Sequence, residues 1–398
     1  MIEHPTSSIQ HRTKRILIVA GEASGDLHGA ALARELKRLR PDLHLEGMGG
    51  ERMREAGVIL MCHASSVSVV GVWEVAKRLG DVAKAFLTLR RILLETPPDL
   101  LILIDYPDFN LLLARVAGRA KVPVLYFIGP QVWAWRRGRL RTIRRLVEKA
   151  LLIFPFEEKL YREAGIDATF VGHPLLNRLR DVPSREEAVR ALELDGKVPL
   201  VGLLPGSRLE ELRRHLPVML QAAEGIRTSI PEVRFVVALA DPLPFEEAEA
   251  IIQDFRFQIS DFRFPIAIVR GRTYKVMRAS DLLIVASGTA TLEAALLQAP
   301  MIIIYRLAPL SFFLGKLLVK APFIGMANLV AGRRIVPELI QHEASPSRIA
   351  SLALELLASP ERLQRIRAEL GEVRVKLGDP GAAERAAHEV LKILDRRD

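Results

Sequence analysis

The sequence predicts an α/β protein: two doubly wound parallel-sheet domains followed by a helical C-terminus. Three observations carry this. The chain has 398 residues, more than one ordinary hydrophobic core serves, so two domains of about 150–200 residues are expected. Continuous apolar runs alternate with helix-like segments along most of it, and strands without polar alternation belong to parallel sheets covered on both faces. The composition, 49% apolar and 26% charged, is that of a globular protein.

Taken in order, "RILIVAG" (15–21) reads as a strand leading into a helix from about Asp26 to Leu39. "DLLILID" (99–105) leads into "FNLLLARVAGRA", and "VPVLYFI" (122–128) and "ALLIF" (150–154) follow. The second half repeats the pattern with "PLVGLLPG" (199–206), "VRFVVALA" (233–240), "IAIVRG" (266–271), "LLIVASG" (282–288) and "MIIIYR" (301–306). Residues 172–198 are polar and proline-containing between the halves, and the linker is placed there. The expected organisation is a loose tail (1–14), an N-terminal domain (15–178), a C-terminal domain (179–344) and C-terminal helices (345–398). The tetrapeptide repeated in "DFRFQISDFRF" (254–264) is too short to define a repeat architecture.

Composition bounds the function. A single cysteine, Cys62, rules out a disulfide framework and a cysteine-built zinc cluster, and fits a reducing compartment. The N-terminal stretch has no apolar core of the signal-peptide kind. No apolar run reaches the ~18 residues of a membrane span; the stretch from Leu307 to Gly332 is interrupted by Lys316, Lys320 and Pro322. A net charge of +10 points to an anionic partner: nucleic acid, a phosphorylated ligand or an anionic membrane.

In open parallel sheets, ligands sit beyond the carboxyl ends of the strands, so the strand-to-helix turns matter most. In "LLPGSRLEEL", Ser207 and Glu210 have capping-box spacing. Arg208, beside the positive end of a helix, suits a phosphate. In "VASGTATLEAALLQAP", Ser287 or Thr289 can cap the next helix. Glu293 lies among alanine and leucine, where a carboxylate near a phosphate-binding helix end can accept from ribose hydroxyls. The Ser287-Gly288-Thr289 turn and Arg208 would then hold a diphosphate, with Glu293 on the ribose.

The first half has its own turns. "AGEASGDLHG" spaces Gly21, Gly25 and Gly29 four apart, so it is not the dinucleotide fingerprint; Ser24 or Asp26 is expected to cap the helix. In "LILIDYPDFNLLLA", Asp108 is read as the N-cap of the next helix. Asp105 ends an apolar strand, where a carboxylate is costly unless used or paired, and is read as a base beside the site.

Two segments concern surfaces. "FIGPQVWAWRRGRLRTIRRL" (127–146) sets two tryptophans beside a basic run. It could face nucleic acid, solvent or anionic lipid; nucleic acid is disfavoured because no recognised RNA-binding module accompanies it. In "SVVGVWEVAKRLGDV" (68–82), Val69, Val70, Val72, Trp73, Val75 and Leu79 form an apolar arc wider than a one-sided surface helix needs. That helix is either deeply buried or dips into acyl chains.

Together, "VAGEASGD", "SVVGVWEVAKRL", "IDYPDFN", "PQVWAWR", "LPGSR", "ASGTATLE", "YRLAPLSFFLGKLLVK" and "NLVAGRRIVPELIQ" resemble the lipid-A-disaccharide synthase family, in family order over roughly residues 15–345. The resemblance implies a GT-B fold, two Rossmann-like domains facing a cleft. It implies an inverting glycosyltransferase that moves 2,3-diacylglucosamine from its UDP donor to 2,3-diacylglucosamine 1-phosphate (lipid X). The products are a β(1→6) disaccharide 1-phosphate and UDP. It further implies peripheral work at the cytoplasmic face of the inner membrane, with no metal or other cofactor. Asp105 falls on the family's essential aspartate, and Asn328 and Arg208 on residues tied to activity. Two departures are visible. "GMAN" precedes Asn328 where relatives often carry proline, and the 254–264 repeat looks like an insertion. Other readings are another UDP-sugar enzyme, such as the peptidoglycan N-acetylglucosaminyltransferase or UDP-N-acetylglucosamine 2-epimerase, or a non-catalytic membrane-binding lipid carrier. A second copy of the chain is carried as a candidate partner, with no residue to place it.

Overall fold

The computed structural model describes residues 13–64, 72–133, 137–194, 197–258, 266–308 and 322–397, with backbone only for 72–79 and 258. It divides into two compact units, Met1–Pro174 with Asp379–Asp398, and Leu175–Gly378.

The first unit alternates β1 (Arg15–Ala20), α1 (Ala23–Leu39), β2 (His44–Gly49), α2 (Glu51–Glu55), β3 (Ile59–His63), α3 (Val72–Glu95), β4 (Leu100–Ile104), α4 (Pro107–Arg119), β5 (Val124–Phe127), α5 (Arg139–Leu146), β6 (Lys149–Leu152), α6 (Pro155–Glu163) and β7 (Ala168–Phe170). All pairings are parallel, in the order β3-β2-β1-β4-β5-β6-β7. Alternation of side chains across β1 explains why this strand is apolar throughout. Leu17 and Val19 join one core cluster with Leu101 and Leu103; Ile16, Ile18 and Ala20 join a second with Ile102 and Ile104 on the other face.

The second unit opens with α7 (Leu175–Arg178) and α8 (Arg185–Ala191). It continues through β8 (Leu200–Leu204), α9 (Leu209–Ser229), β9 (Arg234–Leu239), α10 (Phe245–Gln258), β10 (Ile266–Arg270), α11 (Thr273–Ala279), β11 (Leu282–Ala286), α12 (Thr289–Leu296) and β12 (Met301–Tyr305). After it come α13 (Met326–Ala331), β13 (Glu338–Ile340), α14 (Pro346–Leu357) and α15 (Pro360–Lys376). Its parallel sheet runs β10-β9-β8-β11-β12-β13. In each unit the strand order reverses beside its first strand, between β1 and β4 and between β8 and β11. Crevices at such switch points hold ligands in this architecture.

The domain boundaries differ from the sequence expectation. The segment 172–198 is not a plain linker. α8 is closed by a capping box, in which Ser184 Oγ accepts from Glu187 N–H at 3.2 Å and Glu187 accepts from Ser184 N–H at 2.9 Å. Arg185 also pairs with Asp281 at 2.7 Å. The helices expected to stand apart at 345–398 are shared out. α14 and α15 belong to the second unit, whereas the last helix, α16 (Ala382–Asp395), belongs to the first. Its Ala386, Ala387, Val390, Ile393 and Leu394 are buried in the same cluster as Ile16, Leu36 and Leu125. An apolar stripe of that width cannot be left in water. The tail 1–14 lies outside the described residues up to 12, and Lys14 already accepts His44 N–H through its carbonyl at 2.9 Å. Part of the 254–264 repeat also lies outside them.

Ile393→Ala should therefore destabilise the first unit by about 2–5 kcal/mol, the usual cost of emptying a core site. A melt unchanged from the parent would show that α16 is not part of that core.

Candidate active site

The turn after β4 is the most constrained in the first unit. Asp105 and Tyr106 are both left-handed, with φ of 49° and 44°, and Ile128 after β5 has φ of 59°. Non-glycine residues seldom adopt this region, and a β-branched one is an outlier; such strain persists only where surroundings over-determine it. Here they do. Asp105 N–H donates to Ile128 O at 3.2 Å, locking the two turns together. Asp105 C=O, turned off the ladder, accepts from Tyr126 OH and Asn110 Nδ2, both at 2.7 Å. Asn110 Nδ2 also donates to Ile104 O at 3.1 Å. Gly21, after β1, has no Cβ because one would overlap the Tyr106 ring. The Asp105 backbone is thus clamped from both sides, which leaves its half-buried carboxyl at the carboxyl end of β4. Burial raises its pKa, against the Tyr106 N–H that lowers it. A carboxylate short of hydrogen-bond donors and poorly hydrated is the better base.

Two capping expectations here are corrected. Pro107 at the first helical position starts α4 two residues earlier than Asp108 as N-cap could, so Asp108 sits in the first turn and pairs with Arg139. Neither Ser24 nor Asp26 caps α1, whose N-cap is Glu22. Asp26 instead accepts from Gly50 and Met53 N–H, at 2.7 and 3.0 Å, and caps α2.

In the second unit the expected box of Ser207 and Glu210 is displaced by one residue. α9 begins at Leu209, and Glu211 accepts from Ser207 N–H at 3.0 Å and Arg208 N–H at 3.3 Å. Two backbone donors of this turn, Ser207 and Arg208 N–H, are therefore engaged by a carboxylate. The turn also presents the Arg208 guanidinium, 70% exposed and only loosely paired to Glu211 at 3.3 Å.

The start of α12 is different. Neither Ser287 nor Thr289 caps it; Ser287 Oγ donates to Ile324 O at 2.7 Å, and among the described residues no side chain is shown capping the helix end. Gly288 has φ 157° and ψ −163°, a region reserved for glycine. An added Cβ there would touch nothing within 4 Å among the described residues. An exposed helix end with open N–H groups is the better anion seat of the two. Glu293, one turn on, accepts from Tyr274 OH at 2.8 Å. Burial and the Glu293 charge raise the phenol's pKa, so Tyr274 stays a donor, with Arg178 5.8 Å over its ring. Nothing in the sequence pattern singles out Tyr274.

Asn328 is not at the surface. It is fully buried, with all its hydrogen-bonding positions used. Oδ1 accepts from Ile335 and Val336 N–H; Nδ2 donates to Val336 O and Glu338 Oε1, at 2.8–3.0 Å. Glu338 in turn accepts from Ile324 and Gly325 N–H, at 3.1 and 3.0 Å. Asn328 therefore acts on the 322–325 segment, which Ser287 also holds, rather than on a ligand directly. Val69 and Val70 lie outside the described residues, as do the side chains of Val72, Trp73, Val75 and Leu79.

Comparison with known proteins assigns the family. The family model described as lipid-A-disaccharide synthetase matches residues 16–393. A lipid-A-disaccharide synthase of Geobacter sulfurreducens is 46% identical over 98% of this chain and 99% of its own length. Among solved structures, UDP-GlcNAc 2-epimerase from Neisseria meningitidis bound to UDP-GlcNAc superposes with a TM-score of 0.64 at 12% identity, covering 95% of this chain and 100% of its own. Acinetobacter baumannii MurG does so with a TM-score of 0.58 at 14% identity, over 95% and 99%. The two structures share the GT-B fold and no more; the full-length match in sequence decides the family. This chain belongs to the lipid-A-disaccharide synthase family.

Proposed function

We propose that this glycosyltransferase moves 2,3-diacylglucosamine from UDP-2,3-diacylglucosamine to the 6-hydroxyl of 2,3-diacylglucosamine 1-phosphate. The observation that carries this reading is the Asp105 turn, a strained and clamped backbone presenting a carboxyl of raised pKa. In one in-line step, Asp105 takes the proton of the acceptor hydroxyl as its oxygen attacks the anomeric carbon. The bond from that carbon to the UDP oxygen breaks on the opposite side, inverting the centre. Arg208 and the N-terminus of α12 take up the charge on the departing diphosphate, and Glu293 accepts from the ribose. Ser207, Ser287 and Asn328 shape the turns. A non-catalytic lipid carrier has no use for a base or for a uridine diphosphate seat.

The acyl chains place the work at a bilayer, since extracting them exposes about 0.8 kcal/mol per CH₂. Among the described residues no helix is long and apolar enough to cross a membrane, so contact is by surface. Two features support the first unit as that surface. α5 exposes Arg141, Arg144 and Arg145 and has no acidic residue, each basic group being worth about 1 kcal/mol against anionic lipid. Leu87 on α3 and Leu112 on α4 are 57% and 47% exposed.

Three outcomes test this. Incubation with both substrates should give the disaccharide 1-phosphate by mass, and Asp105→Asn should lose about 10²–10⁴-fold in turnover while still binding UDP. Asparagine tolerates the left-handed backbone, so the variant should fold. Its stability carries a second signature. Because the native pKa of Asp105 is raised, its ionisation costs stability as pH rises from the unfolded value, about 3.9, through the native one. The Tm of Asp105→Asn should exceed the parent's above that window and match it below. Equal turnover would remove Asp105 as base.

Arg208→Ala should weaken UDP binding by about tenfold or more, as a lost charge-assisted bond does; unchanged calorimetric affinity would refute the seat. Serine at positions 69, 70, 72 and 75 should release folded protein from anionic vesicles. A lost melting transition in that variant would instead make the segment core.

A further inference from the structure

His215 is a fully buried imidazole on α9 that the reaction does not use. Its two nitrogens reach the backbone of different loops. Nδ1 lies 2.9 Å from Pro205 O, and Nε2 3.1 Å from Arg306 N. A carbonyl only accepts and an amide N–H only donates, so these partners select the neutral imidazole with its proton on Nδ1. Burial, which lowers the pKa of His215, acts in the same direction. Around the ring stand Glu211 and Arg214, and the Tyr305 ring with its centroid 5.9 Å away.

The two loops are not sequence neighbours. Pro205 follows β8 and opens the turn that carries Arg208; Arg306 follows β12. In the sheet, β11 lies between those strands, so the imidazole spans the strand whose end becomes the Ser287–Gly288 turn. The helix itself does not need it. Leu212, Leu216 and Met219 on α9 are wholly buried and hold the helix to the sheet. An apolar residue at 215 would suit that face better than one that must be desolvated.

We infer that His215 is a positioning residue for donor binding: it ties the Arg208 turn to the end of β12 and so fixes the guanidinium relative to the open N-terminus of α12. This rests on the reading of Arg208 and α12 as the diphosphate seat.

The test compares His215→Leu, His215→Asn and His215→Gln by UDP calorimetry and by kcat and KM for the UDP-sugar. Leucine leaves both loop groups without the imidazole. Asparagine can still donate to Pro205 O, and glutamine can still accept from Arg306 N–H. The tie predicts a rise of about tenfold in UDP Kd and in KM for folded His215→Leu, the effect of two lost hydrogen bonds. It predicts kcat within a few-fold of the parent, and partial recovery in the asparagine or glutamine variant. A purely structural role would lower Tm and leave Kd and KM alone, and that result in folded His215→Leu overturns the inference. Failure of all three to fold overturns it as well. Arg208→Ala separates the two readings. If it binds UDP normally, the seat itself is wrong; if it binds weakly while the His215 variants bind normally, only the tie is wrong.

Discussion

A parallel sheet must end, and where each strand leaves it the backbone loses its ladder partners in a place water does not reach freely. The architecture of both units depends on how those ends are satisfied. At β4 the answer is Asn110 and Tyr126, which take the carbonyls that Ile104 and Asp105 turn away. At β8 it is Glu211 and His215. At β12 and the approach to α13 it is His215, Asn328 and Glu338. Each is a polar side chain placed inside a mostly apolar region, costly unless fully bonded. Each is bonded to main chain and so holds a turn, Asn328 bonding the Glu338 carboxylate as well.

The electrostatic consequence is a division of labour between two neighbouring helix ends. One arginine-bearing turn has two backbone donors already bound by Glu211, and offers an exposed cation. The other, at α12, offers backbone dipoles. An anion with two charged groups can use both. On the other unit, the turn that shapes Asp105 keeps a carboxyl where burial disfavours its charged form. The protein is less stable for it, which is the usual relation between a reactive group and the fold that carries it.

Much of this was legible in the residues. Asp105 stood out because an acid ending an apolar strand has no structural excuse, and the alternation of apolar runs and helical segments located both sheets. What sequence spacing missed were shifts of one or two residues. Ser207 and Glu210 have the right spacing for a box, but the helix starts after Arg208, so Glu211 does the capping. Asp108 looks like a cap until Pro107 claims the first helical position. Three-residue β13 is too short for any period to mark it. Asn328 was visible through the family resemblance, yet its burial, and hence its action through Glu338 and the 322–325 segment, depends on which side of a short helix meets the sheet. Tyr274 and His215 gave no signal at all, because a tyrosine or histidine in a helix reads the same whether it packs or pairs.

The return of α16 to the first unit has a consequence for synthesis. About 200 residues, those of the second unit, separate β7 and the preceding strands from the helix that completes their core. At about 5–20 residues per second of translation, that is a wait on the order of 10–40 s. During it the face of the sheet formed by Ile16, Ile18 and Ile102 lacks the cover of Val390 and Ile393. The first unit is thus begun first and finished last on the ribosome, with its neighbour free to fold in between. A nascent chain of this kind has reason to engage a chaperone at that bare face until the last helix emerges.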